Sequence, residues 1–328
     1  MARSVAIIGA GQIGHAAWQC LGDTAHVVTV HARSRPDWLS GFADHFLPYA
    51  LNEQATPEAE VVFDTIAFDA ADIERYDPDR IGRLVVVSSA SVYCDAAGRT
   101  LDEAAQNGFP ELEGPITEAQ PTVSAGPETY STRKTRMEEC ALELFGDRAT
   151  ILRPCAIYGS HSRHPREWWF VKRMLDGRRR IPLACSGNSK FQTTSSGLIG
   201  DFVSSAIERE LGGIYNIADG SSPSVLEIGK AISRIVGADV QFEPMEGYPD
   251  NFVGRTPWSV PRPFVVDGRK AMKDGGLATI GYEVAAEEAV TWLRDLAPAD
   301  WRTTFPQLAA YPWEHFDYAA EDALLGAV

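Results

Sequence analysis

The sequence predicts an α/β fold, with a doubly wound parallel sheet followed by a smaller C-terminal α/β domain. Three observations carry this. Apolar runs of strand length recur through the first half of the chain and alternate with helix-forming stretches. These runs, such as Leu84-Val85-Val86-Val87, are apolar at every position rather than at every second one, as expected where helices cover both faces of a sheet. The first run passes through a glycine-rich turn straight into a helix.

The composition narrows the class. A chain of 328 residues can bury a large core and holds one or two domains. Its net charge of −15 argues against a nucleic-acid-binding face, which needs cations to neutralise phosphates. No apolar run approaches the roughly 20 residues of a membrane span, so no membrane partner is expected. The apolar start, Val5 to Ile8, is interrupted at once by Gly9, Gly11 and Gly14 and does not read as a signal peptide. Five scattered cysteines show neither metal-ligand spacing nor a disulfide framework, so a reducing cytoplasm is the expected location and no metal site is read.

In chain order, Ser4 to Ile8 reads as a buried strand and Gln12 to Leu21 as a helix. Between them stands Gly9-Ala10-Gly11-Gln12-Ile13-Gly14. Glycines at this spacing let the backbone turn and approach a pyrophosphate, which the free N–H groups and dipole of the helix N-terminus bind. Gly9, Gly11, Gln12, Ile13 and Gly14 are therefore candidate cofactor contacts, and the sheet is read as Rossmann-type. The alternative is a glycine turn that serves only helix–strand packing. His26 to His31 is the second strand. A site specific for NAD places an acid at its end, but here the chain runs His31-Ala32-Arg33-Ser34-Arg35. Arg33 and Arg35 suit the 2′-phosphate of NADP, with NAD kept as the alternative cofactor.

Val61 to Ile66 is a further strand, after which Ile66 and Ala67 are placed to line the cofactor. Leu84 to Val87 runs into Ser88-Ser89-Ala90-Ser91-Val92-Tyr93. Hydroxyl groups at the carboxyl end of a central strand sit where such sheets bind ligands. Ser88 is read as a cofactor contact, with Ser91 and Tyr93 as substrate contacts. Asp95 to Ala125 is acidic, Pro/Gly-rich and aperiodic, long enough to cover a site. A helix starting near Pro127 then carries Tyr130-Ser131-Thr132-Arg133-Lys134. Residues four apart share a helix face, so the phenol and the ammonium are neighbours. A cation beside the phenol would lower its pKa from about 10 toward the range useful for acid–base chemistry at a carbonyl.

Ala149 to Arg153 is a strand, followed by Pro154-Cys155-Ala156-Ile157-Tyr158-Gly159. Residues 1–159 are assigned to the dinucleotide-binding domain and 160–328 mainly to a substrate-binding domain, with a strand near 213–218 returning to the first sheet. From Ser160 a basic, aromatic stretch begins. One reading is an amphipathic helix burying Trp168, Val171 and Leu175 while its arginines face water. The other lets His161, Arg166 and Trp168 contact substrate. The tail, with Trp301, Phe305, Tyr311, Trp313, Phe316 and Tyr318, is too aromatic to be disordered and packs on its own domain or on a partner subunit.

Taken together, the glycine turn, Ser-Ser-Ala-Ser-Val-Tyr, Tyr-x-x-x-Lys and Arg-Pro-Cys-Ala-Ile-Tyr-Gly resemble the extended (or atypical) short-chain dehydrogenase/reductase superfamily, in its NAD-dependent epimerase/dehydratase branch. The resemblance runs from Ala2 to about Gly159 and more loosely to about Leu296. It implies Ser89, Tyr130 and Lys134 as the catalytic triad, with Lys134 also bonding the nicotinamide ribose, and Pro154, Cys155 and Ile157 backing the nicotinamide. It also implies a homodimer paired through the helix of Tyr130, by analogy. Ile8 replaces a glycine usual in the family. Ala90 and Ser91 stand where sugar-nucleotide dehydratases carry an acidic pair, which leaves no carboxyl to eliminate water. Ala156 stands where many epimerases have asparagine. The expected function is an NADP-dependent carbonyl reductase or alcohol dehydrogenase acting on a small molecule. The alternatives are an NAD(P)-dependent epimerase acting on a sugar or nucleotide-like substrate and a non-catalytic NADP-binding regulator.

Overall fold

A computed structural model describes residues 2–22, 24–50, 57–248 and 252–326. The chain divides into two compact units. The first comprises Met1–Cys155, Ser196–Ala218 and Val266–Thr279; the second comprises Ala156–Ser195, Asp219–Val265 and Ile280–Val328.

The first unit is built on a seven-stranded parallel sheet. In chain order its early elements are β1 (Ser4–Ile8), α1 (Gln12–Gly22), β2 (Val27–Ala32), β3 (Phe46–Pro48), β4 (Val61–Asp64), α2 (Ala70–Glu74), β5 (Arg83–Val87), a short α3 (Ala104–Asn107), α4 (Tyr130–Phe145) and β6 (Ala149–Pro154). The strand order is Gly213–Ile217, β6, β5, β4, β1, β2, β3. This is the doubly wound sheet expected from the apolar runs. Ala6, Ile8, Val62, Leu84, Val86 and Ile151 on one face, and Ile7 and Phe63 on the other, are fully buried beneath the helices, which is why these strands are apolar at successive positions. The order reverses beside β1, so the carboxyl ends of β1, β4 and β5 open onto the crevice where such sheets bind ligands. The three-residue β3 is too short to have left a periodic signal.

The second unit carries two small parallel sheets, Ala156–Tyr158 with Thr193–Ser195 and Arg180–Leu183 with Gln241–Pro244. Helices Trp168–Leu175, Val225–Val236 and Tyr282–Leu296 pack a core that includes Trp169, Phe170, Ile228, Ile232, Val290 and Leu293. The aromatic tail joins this same core through Trp301, Phe305 and Leu308, so it packs on its own unit. Leu175 is 42% exposed, contrary to the helical-wheel expectation. Arg173, expected in water, is buried: its guanidinium donates to Glu321, to Trp169 O and to His315 O, and lies 3.5 Å from the Trp169 ring centroid. The carboxylate that permits this lies in the tail, far along the sequence. Among the described residues no helix is long and apolar enough to cross a membrane.

Candidate active site

The glycine turn separates into two kinds of position. A Cβ on Gly9, whose φ is +106°, would lie 2.2 Å from Thr65 Oγ1, and one on Gly14 would lie 2.1 Å from Gly9 O. The fold itself therefore demands both glycines. A Cβ on Gly11 would meet nothing within 4 Å. Packing does not explain that glycine, which stands directly before the first turn of α1. Gln12 and Ile13 form the first turn of α1. Trp38, which sequence reasoning missed, donates through Nε1 to Ala10 O at 3.4 Å and meets the His15 ring edge-on. Arg33 and Arg35 are exposed just past β2, with no ion-pair partner among the described residues. The strand's last buried side chain is His31, so no acid stands there.

β4 ends where Asp64 takes over the backbone. Its buried carboxylate accepts from Ile66 N and Ala67 N at 2.8 Å each, and from Tyr76 Oη at 2.6 Å and Arg75 Nη2 at 3.0 Å. Ile66 is left 41% exposed beside Gly9, while Ala67 is buried with its carbonyl aimed at α4. That carbonyl accepts from Lys134 Nζ at 2.6 Å, and Val87 O accepts from the same nitrogen at 2.9 Å. The third ammonium donor has only Met137 Sδ, 3.9 Å away, so one strong hydrogen bond remains to be made.

α4 begins at Tyr130 rather than near Pro127. Thr129 caps it reciprocally with Thr132, satisfying first-turn N–H groups and fixing the start of the helix. Tyr130 stacks at a tilt on Phe68, 5.5 Å between centroids, and lies within hydrogen-bonding reach of Ser89. The expected lowering of the phenol by Lys134 is not what the geometry produces. Burial pushes the phenol up to about 12, a hydrogen bond from Ser89 opposes this, and Asp102 and Glu103 push it further up. Lys134 is itself pulled down to about 8 by burial. Its ammonium sits 6.0 Å from the phenol ring centroid and is drawn onto two carbonyls instead.

Of the hydroxyl run, Ser89 acts on the phenol, and its Oγ also accepts from Ser91 N at 3.1 Å. Ser88 Oγ donates to Glu138, whose carboxylate is paired with buried Arg153. Ser91 Oγ shares a hydrogen bond with Ser131 Oγ at 2.9 Å and accepts from Asp102 N at 3.1 Å. Tyr93 is fully buried, donating to Asn216 Oδ1 at 2.6 Å beneath the Arg153 guanidinium. The expectations for the side chains of Ser88, Ser91 and Tyr93 are thus corrected: each is spent inside the first unit. The sequence also left no carboxyl beside the reacting oxygen, yet the fold brings Asp102 and Glu103 within electrostatic range of Tyr130. Pro154 closes β6 opposite Ile217, with Cys155 following.

Ile157, His161, Arg166 and Trp168 belong to the second unit. Trp168 is a core residue packed edge-on against Phe305, so its reading as a substrate contact fails. The His161 ring lies 5.6 Å from Trp292, and the Arg166 guanidinium lies 5.7 Å from the Phe191 ring centroid.

No protein-family profile and no curated protein matches the chain. Solved structures do. A UDP-glucose 4-epimerase is similar at 17% identity with a TM-score of 0.68, over 90% of this chain and 98% of that one. A UDP-glucuronic acid 4-epimerase from Bacillus cereus, bound to UDP-glucuronic acid and NAD, is similar at 16% identity and a TM-score of 0.63, over 89% and 99%. A dTDP-glucose 4,6-dehydratase from Bacillus anthracis, in complex with NAD, follows at 15% identity and 0.62, over 92% and 98%. The fold implied by the sequence resemblance is the fold these proteins have: the chain is folded as these two epimerases and this dehydratase are.

Proposed function

We propose that the chain is a nicotinamide-dinucleotide-dependent oxidoreductase that works at a carbinol or carbonyl carbon, foremost as an epimerase of a nucleotide-sugar-like substrate. The observation that carries this is the pairing of Ser89 with Tyr130 above a buried Lys134 that keeps one donor free. The fold likeness to epimerases and a dehydratase supports the epimerase form over one-way reduction. When bound, a nicotinamide dinucleotide supplies and takes the hydride. Gly11 and the first turn of α1 would hold its pyrophosphate, Lys134 a ribose hydroxyl, and Pro154 and Cys155 would back its ring.

The chain's own chemistry is proton handling. Ser89 Oγ donates to the substrate oxygen and fixes it against the phenol. Tyr130 takes the proton of a carbinol as it is oxidised and returns it as the carbonyl is reduced. A phenol held near 12 rests protonated, ready to donate to a carbonyl oxygen. Taking a proton instead requires nearby positive charge, which a bound oxidised nicotinamide would bring.

A second reading, NADP-dependent carbonyl reduction, is favoured by the two exposed arginines and the absent acid at the end of β2. Cofactor retention separates the two. An epimerase keeps its cofactor through purification, whereas a reductase exchanges it each turnover. Titration of cofactor-stripped protein with NADPH and NADH, followed by tryptophan quenching, then fixes the preference. Tyr130→Phe is expected to lose roughly 10²–10⁴-fold in turnover; near-normal turnover would remove the mechanism.

A further inference from the structure

We propose that Glu138 and Arg153 are a buried pair of positioning residues, which lock the carboxyl ends of β5 and β6 to α4 and so fix Ser89 and Pro154 relative to Tyr130. This rests on the reading of Ser89, Tyr130 and Pro154 as the place where a nicotinamide ring and a substrate oxygen meet.

Tyr130, Lys134 and Glu138 follow one another at four-residue intervals and share one face of α4. Glu138 is 2% exposed and is reached from both strands that end at the site. From β5, Ser88 Oγ donates to its Oε1. From β6, Arg153 donates to the same oxygen through Nε at 3.0 Å and to Oε2 through Nη2 at 2.5 Å. Ser88 directly precedes Ser89, and Arg153 directly precedes Pro154. The backbone ties the same two strand ends, with Ser88 N donating to Leu152 O at 2.7 Å. The Arg153 guanidinium also lies 4.8 Å from the Tyr93 ring centroid, and Tyr93 Oη donates to Asn216 Oδ1 at 2.6 Å on the strand Gly213–Ile217. One network thus joins α4 to three strand ends, all within the first unit.

Stability alone does not account for these charges. A buried ion pair costs much to desolvate, and apolar side chains of similar volume hold such a place as well or better. What the pair adds is direction. A guanidinium fork on a carboxylate fixes distance and angle together, which packed methyl groups do not. Each anchor is one residue or one or two helical turns from a residue of the site, so a displaced anchor displaces the site with it. A misplacement of about 1 Å at a reacting centre costs on the order of 10²-fold in rate.

The test separates placement from stability. Glu138→Gln leaves the guanidinium without its counter-charge and is expected to unfold at lower denaturant than wild type. Glu138→Leu combined with Arg153→Met removes both charges at similar volume and is expected to regain that stability. Each protein is titrated with NADH and NADPH, and the fluorescence lifetime of the reduced nicotinamide is read on the one that binds more tightly. A ring held in one place keeps a longer lifetime than one free to rotate in water. Both variants are expected to bind with wild-type affinity, because the pyrophosphate is held at Gly11 and α1, and to shorten the bound lifetime toward that of free cofactor. Ser88→Ala, which keeps the ion pair, is expected to shorten it by less. A double variant that regains the wild-type lifetime along with the stability overturns the proposal. Should the double variant fail to fold, Ser88→Ala decides, and an unchanged lifetime there overturns it. Failure of the underlying reading would show separately, as wild type that binds neither dinucleotide.

Discussion

Both units bury cations, and two of these, Lys134 and Arg173, are held in opposite ways. In the first unit, the Lys134 ammonium faces two backbone carbonyls and a thioether, with no carboxylate in contact. In the second, the Arg173 guanidinium is paired with Glu321, bonded to two carbonyls and enclosed by the rings of Trp169, Phe316 and Tyr318. Arg173 fills four of its five N–H donors, is neutralised by a buried carboxylate, and fastens the tail to the helix Trp168–Leu175. Lys134 is left short of one partner, and burial lowers its proton affinity into a range where it can change state. Burial alone thus does not mark a functional cation; burial without a contacting counter-charge is what sets Lys134 apart.

The largest effect should come from breaking the buried Arg173–Glu321 pair. Glu321→Ala leaves Arg173 buried without its counter-charge and is expected to cost about 3–5 kcal/mol. Denaturant unfolding would measure this, and NADPH binding to the surviving folded protein should be unaltered. A loss below 1 kcal/mol would show that the guanidinium finds water and that the tail is not riveted.

Lys134 makes the complementary prediction. Its folded pKa, about 8, lies below its unfolded value of 10.5, so the unfolded chain binds more protons between these values. Wild-type stability should therefore rise across pH 8 to 10.5 relative to Lys134→Met, by about 3 kcal/mol in total. Below pH 8 the full cost of burying the ammonium is present, and above 10.5 it is gone. The difference between the two unfolding curves against pH measures it, and parallel curves would mean that the amine is well solvated.

A buried carboxyl tests the same rule with the sign reversed. Glu167, fully buried against the Tyr282 hydroxyl at 3.2 Å, is pushed up to about 7, chiefly by desolvation. Here the folded protein binds more protons between 4.5 and 7, so wild-type stability should fall as pH rises through that window, by about 3 kcal/mol at most. Glu167→Gln should remove that slope while keeping the hydrogen bond to Tyr282.

The contrast also explains what the sequence made legible. The buried strands, the glycine turn and the Tyr-x-x-x-Lys spacing are local patterns, because apolar runs, tight turns and helical periodicity are each written within a few residues. Partners written far apart were not legible. Arg173 reads as a solvated helix residue until Glu321 closes over it. Tyr93 and Ser88 read as site residues until Asn216 and Glu138 claim their hydroxyls. The spacing places Lys134 beside the Tyr130 ring, but the phenol's shift has the opposite sign, since desolvation and two carboxylates from an aperiodic loop raise it while the lysine is drawn onto two carbonyls.

Arg33 and Arg35 are a third kind of cation, exposed and unpaired, and they predict the smallest effect. Water screens them, so their attraction to a phosphate is modest without close hydrogen bonding. If they read a 2′-phosphate, substituting both with alanine should lower the preference for NADPH over NADH by roughly tenfold, about 1.4 kcal/mol. Thermal stability should not change, because neither side chain contributes to an ion pair among the described residues. The preference should also weaken with added salt in the wild type and not in the double variant. An NADH preference already present in the wild type would assign both arginines to the solvated surface and strengthen the epimerase reading, since the NADP argument rests on these two side chains.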